Sequence, residues 1–238
     1  MGPVVEKKLD SSVEKISTRP LLLKDEAFIA LEQMIVNGEL APGQWVSESD
    51  LMQVSGHTRA SVRHAIQRLE DQELVKIFPR RGAQICPLDY NRYFRLLELR
   101  RPVERMLASS AAKRANKRQR EELEFIANGF RENSLKRDQS VMTVLDRQCF
   151  SLLLEAADNP FAAKAMVAVK GLSRRFWVLH CESHGDVGQM ATLHAGIASA
   201  VSAGDGSAAE IAVSRLVDYL EKFTLEVVGF NSERLAVV

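Results

Sequence analysis

The chain has 238 residues, 46% of them hydrophobic and 26% charged, which is the composition of a globular protein and the length of one large domain or two modest ones. It has no apolar run of about 18 residues and no apolar stretch in its opening MGPVVEKKLDSSVEKIS, which argues against a membrane span and a secretion signal. The net charge of +1 does not mark a nucleic-acid binder, so any such function must rest on where the charges fall.

Residues 1–19 are polar and read as a flexible arm, and residues 20–88 read as a compact head. From Lys24 to Asn37, Phe28, Leu31 and Ile35 recur at helical spacing, and Gly38 stands where a helix ends. Pro42-Gly43 breaks the chain, and Ser47 followed by Glu48 and Asp50 suits the start of a short helix to about Val54. Ser55-Gly56-His57 separates it from a second helix, near Thr58 to Gln72, that buries Val62, Ile66 and Leu69. Leu74–Ile77 and Ala83–Cys86 then read as two strands around a tight turn at Pro79–Gly82. This order of elements is that of a winged helix-turn-helix: three helices and a β-hairpin wing.

Beyond Pro87 the chain looks helical throughout. Helices are expected near 91–113, 117–132, 139–156, 160–180, 187–203 and 207–228, with breaks at Asn116, Asn133-Ser134, Asp158-Asn159-Pro160, His184-Gly185-Asp186 and Gly204-Asp205-Gly206. The fold class is therefore mainly α, a winged head followed by an all-α bundle of six to seven helices over 89–230, with 231–238 as a C-terminal tail. Cys86, Cys149 and Cys181 are too few and too far apart for a disulfide framework or a zinc finger, and a reducing cytoplasm is the expected compartment.

The helix opening at Thr58 carries Arg59 and Arg63 one turn apart on one face, with Thr58 and Ser61 beside them and no acid before Glu70. Such an end suits a major groove: guanidinium groups can read guanine edges, hydroxyls and free amides can take phosphate. The wing tip adds Arg80 and Arg81, with Gly82 allowing close approach. Six of the seven Lys and Arg in residues 20–86 follow Thr58, whereas six of the nine Asp and Glu precede it, so the positive surface is one face of an acidic head.

Leu40-Ala-Pro-Gly43, Glu48-Ser-Asp-Leu51, Gly56-His-Thr-Arg-Ala-Ser-Val-Arg63, Arg68-Leu-Glu70 and Leu74-Val75 with Arg81-Gly82 together resemble the DNA-binding domain of the GntR family. The resemblance implies DNA contacts at Thr58, Arg59, Arg63 and around Arg81 and Gly82, with Ser49 and Ser61 facing the backbone. Ala60-Ser61 replaces the usual Thr-Pro, His64 a common Glu, and Glu73 a usual Gly, which would oblige Glu73 to hold a strained φ.

Glu98–Glu104, Asp146–Pro160, His194–Asp205 and Leu216–Phe223 resemble the FCD domain of the FadR-like branch. This implies an all-helical, dimeric, carboxylate-binding domain, often holding a metal through one Asp and three His. Asp146 and His194 match two of those ligands. Phe150 stands at a third position and Tyr219 at the last, an incomplete site for Zn, Ni or Mn. The resemblance places Arg100 in the ligand cavity. Arg174-Arg175-Phe176-Trp177 puts further cations beside aromatics, and the expected effector site is Arg100, Asp146, Phe150, Arg175, His194 and Tyr219, with an organic acid as ligand. The alternative reading, Arg100 and Arg175 as ion-pair partners of Glu98, Glu104 or Asp146, stays open.

The expected function is ligand-responsive regulation of transcription, more repressor than activator, by a homodimer on a pseudo-palindromic DNA operator. No catalytic residue and no membrane contact are expected. Two rival classes are a metal-dependent helical enzyme around Asp146, His180 and His194, and a protein-interaction module.

Overall fold

A computed structural model describes residues 23–235, with side chains for 25–229, so the arm expected over 1–19 lies outside the described residues. The head runs α1 (Leu23–Val36), β1 (Trp45–Val46), α2 (Glu48–Ser55), α3 (Arg59–Asp71), β2 (Val75–Phe78) and β3 (Gly82–Ile85). Ser47 starts α2 with a reciprocal capping box: its hydroxyl accepts from the Asp50 amide while the Asp50 carboxylate accepts from its own. Gly56 closes α2 at φ 70°, and Thr58 caps α3 by accepting from the Ser61 amide.

The wing is a three-stranded antiparallel sheet in the order β1-β3-β2. Its hairpin pairs Val75 with Ile85 and Phe78 with Gly82, and the two-residue β1 pairs Trp45 with Gln84. β1 is absent from the sequence reading, because two residues are too short to show an alternation. Arg80 (φ 63°) turns the hairpin, and Glu73 holds φ 56° where a glycine would have been free to do so.

The bundle consists of α4 (Tyr90–Arg114), α5 (Lys117–Lys136), α6 (Gln139–Ala157), α7 (Pro160–His184), α8 (Val187–Ala203) and α9 (Gly206–Leu235). Asp89, Asn116, Asp138, Asn159 and Asp186 each cap the helix that follows, which is why the polar breaks were legible. Two expectations are corrected. Asn133-Ser134 does not end α5: the buried Asn133 amide donates to the Asp138 carbonyl and accepts from the Asp138 amide, tying the α5–α6 turn from inside the helix. The tail expected from 231 is helical to Leu235, with 236–238 outside the described residues.

Two hydrophobic cores result, one in the head around Leu31, Val62 and Leu69, the other in the bundle around Leu123, Phe130 and Phe223. Helix α7 serves both. Leu172 packs on the head's core, while Val169, Phe176 and Trp177 belong to the bundle's. Gly171 allows this: a Cβ there would lie 3.2 Å from Gln72 Oε1 and 3.5 Å from Leu74 Cδ1, both in the head.

Candidate functional site

The first candidate surface is the end of α3 with the wing. Ser49, Thr58, Arg59, Arg63 and Arg81 are exposed, and Ser61 and Gly82 partly so. Arg63 is not free. Its Nε and Nη2 donate to both carboxylate oxygens of Glu48 at 2.9 and 3.1 Å, tying α3 to α2. This hydrogen bond with Arg63 holds the Glu48 carboxyl below its usual range. The wing offers something the sequence reading missed. Trp45 is 46% exposed, packs at 4.8 Å on Phe78, and carries Arg81 over its ring at 5.5 Å. Lys76 lies over Phe78 at 5.3 Å, so the wing's cations rest on an aromatic shelf. Gly82 sits at φ 91°, and a Cβ there would lie 2.7 Å from the Val46 carbonyl oxygen.

The second is a cavity of about 40 Å³ inside the bundle. Arg100, Asp146 and His194 line it together, as the resemblance implied, with Gln139, Lys170, Ser173 and Arg174 among the other polar groups. Arg100 Nε donates to Glu104 at 2.5 Å and its Nη1 to Ser173 Oγ at 2.7 Å, so Arg100 is at once a cavity residue and an ion-pair partner. Lys170 Nζ lies 3.1 Å from Asp146 and 3.4 Å from Glu104. Arg174 Nε and Nη2 both reach Asp146 Oδ2 at 2.9 Å. Burial alone would raise both carboxyls. The cations Lys170 and Arg174 instead hold Asp146 well below the usual range, and Arg100 with Lys170 brings Glu104 down to about 2.

The network leaves the bundle. Arg174 Nη1 lies 3.5 Å from Glu32 Oε1, and Arg147 Nη2 lies 3.0 Å from Glu32 Oε2. Glu32 is on α1, in the head, and is buried. Four cations, Arg100, Arg147, Lys170 and Arg174, thus surround three carboxylates, Glu32, Glu104 and Asp146.

Three expected effector residues fall elsewhere. Phe150 does not line the cavity; it lies behind Lys170, whose ammonium is 4.9 Å from its ring. The Tyr219 hydroxyl accepts from the Asp186 amide at 2.9 Å and so braces the start of α8. Arg175, next to Arg174 in sequence, faces a different cleft. Lys170, Ser173 and Arg174 are among the cavity residues absent from the expected effector site.

Asp146 and His194 do not suit a divalent cation. His194 Nδ1 faces the Met190 carbonyl at 2.9 Å and its Nε2 faces Asp146 at 3.2 Å, while Lys170 and Arg174 occupy the remaining carboxylate positions. Among the described residues no three His, Cys, Asp or Glu side chains converge as a metal-binding group. His180, the other candidate, packs against Phe176 and Tyr90. Among the same residues no helix is long and apolar enough to cross a membrane.

Comparison with known proteins gives matches over both halves. Residues 95–219 match the FCD domain, and residues 23–85 match the gntR family of bacterial regulatory proteins. An HTH-type transcriptional regulator in an unstable DNA locus of Streptomyces ambofaciens is 34% identical over 79 residues, and the HTH-type transcriptional regulator YdhC of Bacillus subtilis (strain 168) is 32% identical over 76 residues. Each alignment spans about a third of both chains: 33% of this one and 34% of the first relative, 32% of this one and 34% of the second. Among solved structures, E. coli McbR/YncC superposes with a TM-score of 0.74 at 13% identity, over 88% of this chain and 100% of that one. A GntR transcriptional regulator from Rhodococcus sp. RHA1 superposes with a TM-score of 0.62 at 22% identity, over 87% and 97%. At these identities the likeness is one of fold.

Proposed function

This chain belongs to the FCD-domain family, with the DNA-binding module of the gntR bacterial regulators at its N-terminal side, and on that premise we propose that it is a repressor whose hold on operator DNA is set by a small organic acid in the bundle cavity. The head docks α3 in a major groove, Arg59 and Arg63 reading bases while Thr58, Ser61 and Ser49 take phosphates. The wing brings Arg81 to the neighbouring groove. Two copies bind a pseudo-palindrome as a homodimer. Neighbouring helices α4 and α9 leave Met106, Ile211 and Leu225 exposed, apolar side chains that a second copy can cover.

The single observation that carries the ligand-response reading is the continuous charge path from Asp146 through Arg174 to Glu32. The cavity, at about 40 Å³, is too small for an organic acid, so one enters only by displacing side chains. A carboxylate there competes with Asp146 for Lys170 and Arg174 and finds an excess of cations. Moving Arg174 weakens its pull on Glu32 and so shifts α1 relative to the bundle. Ligand and DNA are then coupled through the equilibrium between two head positions.

The test is selection of DNA from a random pool by the full chain, followed by anisotropy titration of the selected duplex with and without a panel of di- and hydroxycarboxylates. Enrichment of a two-fold motif, and weakening of its binding by one acid about fivefold or more, is the expected result, from coupling of ordinary allosteric size. In Glu32→Gln the ratio of affinities with and without that acid shrinks toward one. Failure to enrich any motif overturns the DNA reading. A motif whose affinity no acid alters overturns the ligand reading alone.

A further inference from the structure

Arg175 is 0% exposed, yet none of its three guanidinium nitrogens has a hydrogen-bond partner among the described residues. An isolated buried charge is costly, and structures hold one where a counter-charge completes it. Arg175 lines a cleft of about 450 Å³, in the size range of small-molecule sites and roughly ten times the volume of the bundle cavity. The cleft lies between the two halves of the chain. Glu73, Cys86, Pro87 and Leu88 form its wall on the head and connector side; α4 and α7 form the other.

The charged groups around it leave Arg175 alone. Glu73 is paired with Arg92 across the cleft, and Asp89 is spent on the Arg92 amide as the cap of α4. Burial pushes the Arg175 guanidinium pKa down, the Cys86 thiol opposing this only partly. Arg95, exposed at the rim, is a further cation of the lining, and the remainder is mostly apolar, with Leu96, Leu99, Val169, Leu172 and Phe176 on its walls.

We propose that this cleft is a second ligand site, independent of the bundle cavity, which takes a monocarboxylate with an apolar body, the carboxylate pairing with Arg175 and the body lying along α4 and α7. One planar guanidinium with no internal partner matches one carboxylate through two parallel hydrogen bonds, made once the side chains that cover it from the cleft give way. The apolar part of the wall favours a chain or ring behind the carboxylate. The position gives such a ligand leverage. Phe176 stacks on Tyr93 at 3.9 Å, the Tyr93 hydroxyl lies 3.0 Å from Ser173, and Ser173 accepts from Arg100 in the bundle cavity. A ligand touching both the connector and this stack fixes how the head sits on the bundle.

The test uses the full chain, octanoate as the probe and octanol as its uncharged counterpart, in calorimetric titration at constant ionic strength. Octanoate is expected to bind once per chain and raise the melting temperature, and octanol to do neither. Arg175→Met is expected to weaken octanoate about tenfold or more while itself melting higher than the parent, because it removes an unpaired buried charge. Leu99→Trp, at an exposed position on the cleft wall, fills the space without touching the charge and is expected to abolish binding; it carries the test if Arg175→Met does not fold. Absence of octanoate binding by the parent chain, or equal binding by Arg175→Met or Leu99→Trp, overturns the proposal.

Discussion

Arg63 meets DNA with a competitor already in place. Its bidentate pair with Glu48 orients the guanidinium at the surface, and a base edge or phosphate must displace that carboxylate. Arg63 is exposed and Glu48 partly so, and salt screens the pair, so it is weak and the exchange cheap. Arg59 and Arg63 replaced singly by Ala should each lower affinity for the selected operator roughly tenfold or more, with little change on random duplex; anisotropy with both DNAs checks this. Deeper inside, Glu104 gives a pH dependence. Its folded-state pKa of about 2 lies below its ordinary 4.5, so the stability it contributes is complete above about pH 4.5 and lost as pH falls through about 2. Urea melts across that window should show a loss of about 3 kcal/mol from this group, with Asp146 adding to it in the same direction. A stability flat between pH 5 and 2 would contradict the buried pairing.

Among the elements, the wing is the most exacting. Gly82 pairs with Phe78 at the hairpin's end in a left-handed conformation, with the Val46 carbonyl where a Cβ would go. Gly82→Ala should therefore cost about 1–3 kcal/mol in chemical denaturation and loosen β1 from β3, since both the φ and the contact resist it. Glu73 shows the opposite choice: a non-glycine residue holds φ 56° at the end of α3, next to an ion pair with Arg92 on α4. The strain is tolerated at the joint between the head and the bundle.

At the scale of the molecule, α7 decides how the halves are joined. It gives Leu172 to one core and Phe176 to the other, and Gly171 lets it approach Gln72 and Leu74 closely. Gly171→Leu should push the head off α7 while leaving each core intact. Limited proteolysis would then cut in the connector between Ile85 and Tyr90 several-fold faster than in the parent chain, and the effect of an acid on DNA affinity would fall with it. Unchanged proteolysis would mean that the docking does not depend on this contact. The same docking brings Glu32 to Arg174 and forms the cleft that Arg175 borders on an adjoining face of α7, so both proposed ligand sites act on one joint.

Local rules carried the sequence a long way. Capping side chains, glycines at helix ends and the arginines opening α3 are short-range signals, and the winged head followed by six helices follows from them. That Arg100, Asp146 and His194, on three different helices, share a cavity is what the resemblance of the motifs to the FCD domain implied. The tertiary structure alone decided which cation faces which space. On α7, residues 173–177 are all buried, so no polar face marks an inside, and neighbours about 100° apart, Arg174 and Arg175, go to different cavities. Pairings such as Glu48 with Arg63 and Glu32 with Arg174 join residues far apart in the chain. They exist because packing, not spacing, sets those distances.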